Sequence, residues 1–155
     1  MNDSIGNNHS DPARRRWMAV LARAAAEQLD ARLVGCAEMP SYTTLRGPEA
    51  GLVMVRGRAG GGGSPFNLGE MTVTRCTIRT ATGFIGHAYI PGRETRRAER
   101  AALLDALMQD ATRVDELEAA VITPLEAQQA HDRSARAAKA AATRVDFFAM
   151  QTMRT

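Results

Sequence analysis

Arginines beside a glycine-rich loop are the side chains in this sequence with the clearest capacity for chemistry. Arg56 and Arg58 end an apolar run and share one face of an extended segment, because strand side chains alternate between faces. Arg75 and Arg79 lie on the next β-prone segment. Guanidinium groups form paired, charge-assisted hydrogen bonds with anionic oxygens, so this group predicts an anion-binding site. Nearby glutamates or another subunit are alternative partners for the same charges.

His87 could add a hydrogen-bond donor or a proton acceptor to that site, and a histidine with a purely structural hydrogen bond is the alternative. The glycine loop itself, residues 60–63, lacks the G-x-x-x-x-G-K-[ST] pattern and leads into a strand, so the phosphate-binding mechanism of helix N-termini is missing. Two interpretations stay open for the loop. It forms a backbone nest for an anion, or it is a mobile hairpin tip or assembly arm.

Metal binding and nucleophilic catalysis have little support in the sequence. The three histidines lie far apart: His9, His87 and His131. Neither cysteine has a C-x-x-C partner, so we expect no metal site. Ser64 lacks the G-x-S-x-G context of a hydrolase. Arg75 could lower the pKa of Cys76, but a single cysteine is more often part of the core. No catalytic residue is assigned.

Composition sets the outer limits. The chain has 155 residues, of which 45% are hydrophobic and only 5% aromatic, and its net charge is +3. Basic residues are interspersed with acidic ones along the sequence, and no aromatic stacking surface is evident. We therefore expect no nucleic acid partner. Two cysteines fit a reducing compartment, and no apolar run approaches 18 residues. We therefore expect a cytoplasmic protein without a membrane span, with a disordered tail at residues 1–10 and one domain at residues 11–155.

The elements that must position these side chains follow from periodicity. Helical spacing and strand alternation predict helices over residues 12–31, 94–111, 114–121 and 123–142, and strands over residues 52–58, 71–79 and 84–90. Gly47-Pro48 is expected to end any earlier strand, and residues 143–150 are expected to be extended. The pattern predicts an α+β fold, in which a small antiparallel sheet packs with an N-terminal helix and C-terminal helices.

Further arginines crowd the starts of two predicted helices: Arg14, Arg15, Arg16 and Arg23 in the first, and Arg93, Arg96, Arg97 and Arg100 in the second. Most such clusters are solvated faces, and a partner-binding face is the alternative. The alanine-rich helix over residues 123–142 buries little area by itself. We expect it to depend on packing against another chain.

Several blocks together carry a family resemblance. They are Arg46-Gly47-Pro48-Glu49-Ala50-Gly51, Pro65-Phe66-Asn67-Leu68-Gly69-Glu70-Met71, Gly86-His87-Ala88-Tyr89 and Ala142-Thr143-Arg144-Val145-Asp146-Phe147-Phe148. With them, roughly residues 15–150 resemble the PhnG family, the G subunits of the bacterial carbon–phosphorus lyase system for phosphonate breakdown. Ala50 and the all-glycine loop depart from that pattern.

The resemblance implies a function that composition could not supply. Proteins of this family are needed for transfer of the ribose 5-triphosphate of ATP onto an alkylphosphonate with release of adenine, in the ribose 1-methylphosphonate 5-triphosphate synthase step. Implied partners are the H, I and J subunits and the ATP-binding-cassette-type L subunit. ATP is the implied co-substrate, and the iron–sulfur cluster and S-adenosylmethionine belong to a partner. The alternative is a scaffold subunit that assembles the complex without touching substrate.

The predicted sites combine the argument from side-chain chemistry with the family resemblance. The predicted substrate- or partner-anion site comprises Arg56, Arg58, Arg75 and His87. The predicted interface and loop residues are Glu49, Gly60, Gly61, Pro65, Phe66, Asn67 and Glu70, and self-association through the glycine loop is a further expectation. No metal or cofactor is expected on this chain.

Overall fold

A three-stranded antiparallel sheet forms one layer of the protein. The computed structural model describes residues 11–36, 39–58 and 63–144. Strand β1 spans Tyr42–Gly57, β2 spans Phe66–Thr80 and β3 spans Ile85–Pro91, in the spatial order β1-β2-β3. Alternation along β2 buries one face under the helices, where Cys76 and Ile78 join the core, and leaves the other face exposed at Arg75.

The two long strands extend beyond the short one. β3 pairs with β2 only from Val73 to Arg79, whereas β1 follows β2 along almost its whole length. Residues 52–57 of β1 and residues 66–71 of β2 therefore form a two-stranded arm, which we call the projecting ribbon. Six residues per strand give it a length of about 20 Å.

Gly47-Pro48 does not end a strand, contrary to the expectation from sequence. β1 runs through this dipeptide, and register shifts on either side of Arg46 accommodate it. Gly47 has a φ of 70°, and a Cβ atom there would lie 2.5 Å from the carbonyl oxygen of Arg75. Glycine therefore lets β1 bulge without losing its partner strand, which is how irregularities are usually absorbed in antiparallel pairs.

The predicted first helix is two helices, α1 at Pro12–Leu21 and α2 at Ala26–Leu33. Side chains satisfy the backbone groups at the break. Arg97 donates through Nη2 to the carbonyl oxygen of Ala22 at 2.5 Å, and Gln28 accepts from the backbone N–H of Ala25 at 2.9 Å. Such capping replaces the hydrogen bonds that a continuous helix would have made.

Helix α3, Thr95–Leu107, lies across β3 and β2 and supplies more core residues than any other element. It can approach closely because β3 carries Gly86 at the contact. A Cβ atom at Gly86 would lie 1.9 Å from the carbonyl oxygen of Ala102 and 2.6 Å from the backbone nitrogen of Ala106. Small residues on both sides thus set the distance between helix and sheet.

The remaining helical segment is continuous. Helix α4, Val114–Leu117, leads through a π-helical turn at Glu118–Ile122 into helix α5, Thr123–Ala142. The bounds of α5 are those predicted, and it continues directly from the π-helical turn, because Ile122 is already helical. Leu125 is the buried residue of α5, and residues 130–143 are exposed on all sides.

The predicted α+β class, with a small antiparallel sheet and helices packed on it, is confirmed. The predicted hairpin of β2 and β3 is also confirmed. No helix in the described ranges is long and apolar enough to span a membrane. The expectations for residues 1–10, for loop residues 60–62 and for residues 145–150 fall outside the described residues.

Candidate functional site

The exposed face of the sheet gathers several of the predicted site residues. Arg75 of β2 lies opposite Glu49 of β1, and its Nε donates to Glu49 Oε1 at 2.7 Å. Arg46 Nε donates to the same oxygen at 2.8 Å. One carboxylate oxygen thus holds two guanidinium groups side by side. Within the described chain, the η nitrogens of both arginines make no hydrogen bond, so the pair retains donors for an anion.

Glu49 is electrostatically tuned by this arrangement. Hydrogen bonds from Arg46 and Arg75 lower the pKa of the Glu49 carboxyl below its usual value, because both stabilise the carboxylate form. The side chain is partly exposed and in contact with solvent. Its role is therefore to orient the two arginines more than to stabilise the fold.

His87 lies on the same exposed face. It pairs with Thr77 across β2 and β3, one row along from the pair of Arg75 and Tyr89. Diagonal neighbours of this kind have Cβ atoms about 7 to 8 Å apart, so one ligand can reach both. The Nδ1 atom of His87 is 3.1 Å from Thr77 Oγ1, and its backbone N–H donates to Asp105 Oδ2 at 2.9 Å. The structural hydrogen bond considered from sequence is therefore present, and the Nε2 edge of the ring lies away from Thr77.

Arg79 extends the positive charge of this face. It lies two residues beyond Thr77 on β2, opposite Ile85, and it is exposed. We call the group of Arg46, Glu49, Arg75, Arg79 and His87 the sheet-face cluster. Its three arginines and single carboxylate leave a net positive charge without counting the histidine.

Arg56 and Arg58 do not join this cluster, so the prediction that all the arginines converge was wrong. Arg56 pairs with Asn67, which precedes Arg75 by eight positions on β2. At the rise of a strand this separation is about 27 Å. Arg56 donates weakly to the Pro65 carbonyl oxygen at 3.4 Å, and Arg58 is exposed just beyond the end of β1.

The projecting ribbon holds most of the predicted interface residues. Phe66 begins β2, Asn67 pairs with Arg56, and Glu70 pairs with Met54. Pro65 directly precedes the strand, whereas Gly60 and Gly61 lie outside the described residues. Glu49 belongs to the sheet-face cluster and not to this loop region.

Large apolar side chains are exposed along the projecting ribbon. They are Leu52, Met54, Phe66, Leu68 and Met71, with exposed fractions from 42% to 63%. Leu68 lies directly over Gly57, where a Cβ atom would come within 2.6 Å of its Cδ1. They lie on both faces of the ribbon, because Met71 pairs with Val53 and therefore faces away from Leu52 and Met54. Exposed apolar side chains on an uncovered pair of strands mark an interaction site.

Sequence reasoning missed a buried polar cluster behind β3. Asp105 of α3 is fully buried and accepts from Arg14 Nη2 at 2.7 Å, from Trp17 Nε1 at 2.9 Å and from the His87 backbone. The sequence did contain a pattern that could have predicted this cluster. Arg14 falls on the apolar stripe of α1 with Trp17, and Asp105 falls on that of α3. This cluster fixes the backbone of β3 at His87.

Most of the helix-start arginines have partners. Arg16 contacts Glu118 at 2.8 Å and Glu126 at 2.5 Å, and both Arg96 and Arg100 bind Asp30. These contacts tie α1 to α5 and α2 to α3. These arginines stay partly or largely exposed to solvent, as the solvated-face interpretation expects, and they also join elements of the fold.

Cys76 belongs to the core, as its isolation in the sequence indicated. Burial is the main cause that raises the pKa of its thiol to about 11, and the charge of Glu99 adds to the effect. Arg75 does not activate it, because consecutive strand residues point to opposite faces. Among the residues in the described ranges, no group of three His, Cys, Asp or Glu side chains could hold a metal ion.

Comparison with known proteins identifies the relatives of this chain. Residues 12–153 match the family model described as phosphonate metabolism protein PhnG. The chain is 47% identical over 137 residues to a protein of Rhizobium meliloti (strain 1021), covering 88% of this chain and 87% of that protein. That relative is named alpha-D-ribose 1-methylphosphonate 5-triphosphate synthase subunit PhnG. These matches confirm the resemblance inferred from the sequence blocks.

Proposed function

Because this chain belongs to the PhnG family of phosphonate metabolism proteins, we propose that it acts as the PhnG subunit of an alpha-D-ribose 1-methylphosphonate 5-triphosphate synthase. The observation that carries the proposal is the match to the relative from Rhizobium meliloti, which extends over nearly the whole of both chains. The fold supports two roles for such a subunit: contact with other subunits through one surface, and binding of an anion at another.

The projecting ribbon is the surface that we assign to assembly. Three of its apolar side chains, Leu52, Met54 and Leu68, are more than half exposed. Strand β1 is an edge strand throughout, and β2 is an edge beyond Val73, so backbone N–H and C=O groups are open on both sides of the ribbon. A partner strand would pair with the open backbone groups, and an apolar groove on the same partner would cover the apolar side chains. The partners we propose are the H, I and J subunits and the L subunit of the carbon–phosphorus lyase system.

The sheet-face cluster is the surface that we assign to the substrate. The proposed reaction moves the ribose 5-triphosphate of ATP onto an alkylphosphonate and releases adenine, so phosphate and phosphonate oxygens must be held throughout. Arg75 and Arg46, held side by side by Glu49, present free η nitrogens for those oxygens. His87 lies one row away on the same face. These groups bind and orient charge, which is a contribution by positioning and electrostatic stabilisation.

The catalytic groups of the synthase, the iron–sulfur cluster and the S-adenosylmethionine site are assigned in this proposal to partner subunits. The location we propose is the cytoplasm. Support for it comes from the two cysteines, Cys36 and Cys76, which are both free thiols.

The test is to replace Arg75 by alanine in the co-expressed complex and to measure assembly and synthase turnover separately. We expect assembly to be retained and turnover to fall about tenfold or more, because a charged hydrogen bond to the substrate is lost. Arg32→Ala is the matched control, since Arg32 is an exposed arginine on α2. Unchanged assembly together with unchanged turnover in Arg75→Ala would exclude the sheet-face cluster from the reaction.

A scaffold that never touches substrate is the second candidate, and the exposed apolar side chains of the ribbon favour it. That candidate predicts that turnover is lost only where co-purification is lost. Leu52→Ser with Met54→Ser should weaken co-purification of the partner subunits in either case. Val34→Ser is the matched control, because Val34 is 87% exposed and lies away from the ribbon on the segment after α2. Equal co-purification by the Leu52→Ser/Met54→Ser variant and by the Val34→Ser control would exclude the ribbon as the docking surface.

A further inference from the structure

A polar cavity of about 340 Å³ lies between helix α5 and the corner that joins α1 to α2. Its lining residues are Arg23, Gln28, Gln129, Asp132, Arg133 and Arg136. The four that belong to α5 recur at intervals of three, one and three residues, which places them on one face of the helix. The cavity lies on the helical layer and shares no residue with the sheet-face cluster.

Positive charge dominates this cavity. Three guanidinium groups line it against the single carboxylate of Asp132. Arg23 and Arg136 donate only to backbone carbonyl oxygens, of Ala19 at 3.1 Å and of Asp132 at 3.2 Å. In the part of the chain that the structure describes, no carboxylate lies within ion-pair distance of Arg23, Arg133 or Arg136.

The one acid in the cavity is already engaged. Asp132 Oδ1 accepts from Gln128 Nε2 at 2.9 Å. Three arginines elsewhere in the fold contrast with this arrangement, because Arg14, Arg75 and Arg100 each bind a carboxylate. Like charges brought together in a concave surface repel each other unless an anion enters.

The walls of the cavity are held in place by contacts outside it. Gln129 donates through Nε2 to the Val20 carbonyl oxygen at 2.9 Å, which fixes α5 to the end of α1. One turn earlier, Arg16 of α1 binds Glu126 of α5 at 2.5 Å. These contacts fix the first turns of α5 against α1, and Arg133 and Arg136 lie on the exposed turns that follow.

We propose that this cavity binds a chain of phosphate groups, such as a nucleoside triphosphate or an inorganic polyphosphate carries. Its volume is within the range of small-ligand sites. Arginine pairs bidentately with phosphate oxygens, and three arginines around one cavity match successive phosphates better than a single one. The two glutamine amides add neutral donors, Gln28 from α2 and Gln129 from α5. This inference goes beyond the proposed function and does not depend on it.

The test uses the full chain and isothermal titration calorimetry with three probes: tripolyphosphate, ATP and orthophosphate. We expect tripolyphosphate and ATP to bind with similar affinity and orthophosphate to bind at least tenfold more weakly, because it meets fewer arginines. Binding should weaken as salt rises, since the cavity is open to solvent. ATP binding much more tightly than tripolyphosphate would show a nucleoside site and would overturn the proposal of a phosphate-chain site.

Arg136→Gln should weaken tripolyphosphate binding about tenfold or more, and Arg136→Lys should give an intermediate loss because charge is kept and the planar fork is lost. Lys139→Gln is the matched control, because it removes one charge from α5 outside the cavity. Thermal unfolding of each variant checks that the fold is intact. Equal binding by Arg136→Gln and the control, or binding of a glutamate-rich peptide as tight as that of tripolyphosphate, would overturn the proposal.

Discussion

At the scale of single residues, the most consequential group is a buried carboxylate. Asp105 lies where α1, α3 and β3 meet, and it accepts hydrogen bonds from the side chains of Arg14 and Trp17 and from the backbone of His87. A buried charge is costly unless it is paired and hydrogen-bonded, so the three donors are needed together. The cluster also decides where His87 lies on the exposed face.

Replacing Asp105 by alanine should lower the free energy of unfolding by about 3 to 5 kcal/mol, because Arg14 is left buried without its partner. Urea unfolding followed by circular dichroism measures the change. Asp115→Ala is the control, since Asp115 is exposed, and its effect should stay within about 0.5 kcal/mol. A loss at Asp105 no larger than at Asp115 would contradict the role of the cluster.

The thiols give a second residue-scale prediction. Burial raises the pKa of Cys76 to about 11 and raises that of Cys36 in the same direction. Because the thiolate is the reactive form, native Cys76 should resist iodoacetamide at pH 8, and partly exposed Cys36 should react first. Mass spectrometry of the alkylated chain locates the label. Rapid labelling of Cys76 in the folded chain would show that its strand is not packed as described.

The contacts of Glu49 with Arg46 and Arg75 should depend on pH. The pKa of Glu49 is lower in the folded chain than the ordinary value of 4.5, chiefly through the hydrogen bonds of Arg46 and Arg75. A lowered pKa contributes stability that is present above the unfolded value and is lost as the pH falls through the folded value. The contacts with Arg46 and Arg75 should therefore persist at neutral pH and be lost only in acid, below the ordinary pKa of a glutamate. An NMR titration in which the pKa of Glu49 does not rise in Arg75→Gln would contradict this.

At the scale of elements, helix α3 depends on a glycine in the strand beneath it. A side chain at Gly86 would collide with the backbone of α3 at Ala102 and Ala106, and neither backbone can yield without moving the helix. The contact therefore explains why the helix and the sheet can share one core of alanines and leucines.

Gly86→Ala should destabilise the chain by about 3 kcal/mol or more, because the new methyl group forces α3 away from β3. Gly51→Ala is a matched control on β1, where an added Cβ meets nothing within 4 Å. Chemical unfolding of the two variants makes the comparison. Equal stability of both would mean that α3 does not approach β3 this closely.

Elements were predicted from sequence where a local pattern decides them. The bounds of α5 and the pairing of β2 with β3 follow from periodicity and turn residues. The break between α1 and α2 was missed because it depends on Arg97, which is distant in the sequence and bonds to the Ala22 carbonyl oxygen. The separation of Arg56 from Arg75 was missed because strand alternation gives the face of a residue but not its position along the paired strands.

At the scale of the whole molecule, the protein divides into a packed body and two extensions. The body contains α3, β3 and the half of β2 that β3 covers. The extensions are the projecting ribbon and the exposed half of α5 over residues 130–143. Segments with few buried contacts open more readily than a core does, so both extensions should have a lower local stability than the body.

Hydrogen exchange should resolve this difference. Amides of α3 and of β2 residues 73–79 should be protected close to the level of global unfolding, whereas the ribbon and residues 130–143 should exchange faster by about two orders of magnitude or more. Adding the partner subunits should protect the ribbon. Uniform protection of the free chain would contradict the division into body and extensions.

The edge strand β1 has a consequence for how cells make this protein. Among the residues that the structure describes, no strand lies on its outer side along the sheet. An orphan copy would offer that side to any other strand, including that of an identical orphan, and self-pairing leads to aggregation. We therefore expect that co-expression with partner subunits reduces aggregation of this chain, because a bound partner covers the open edge.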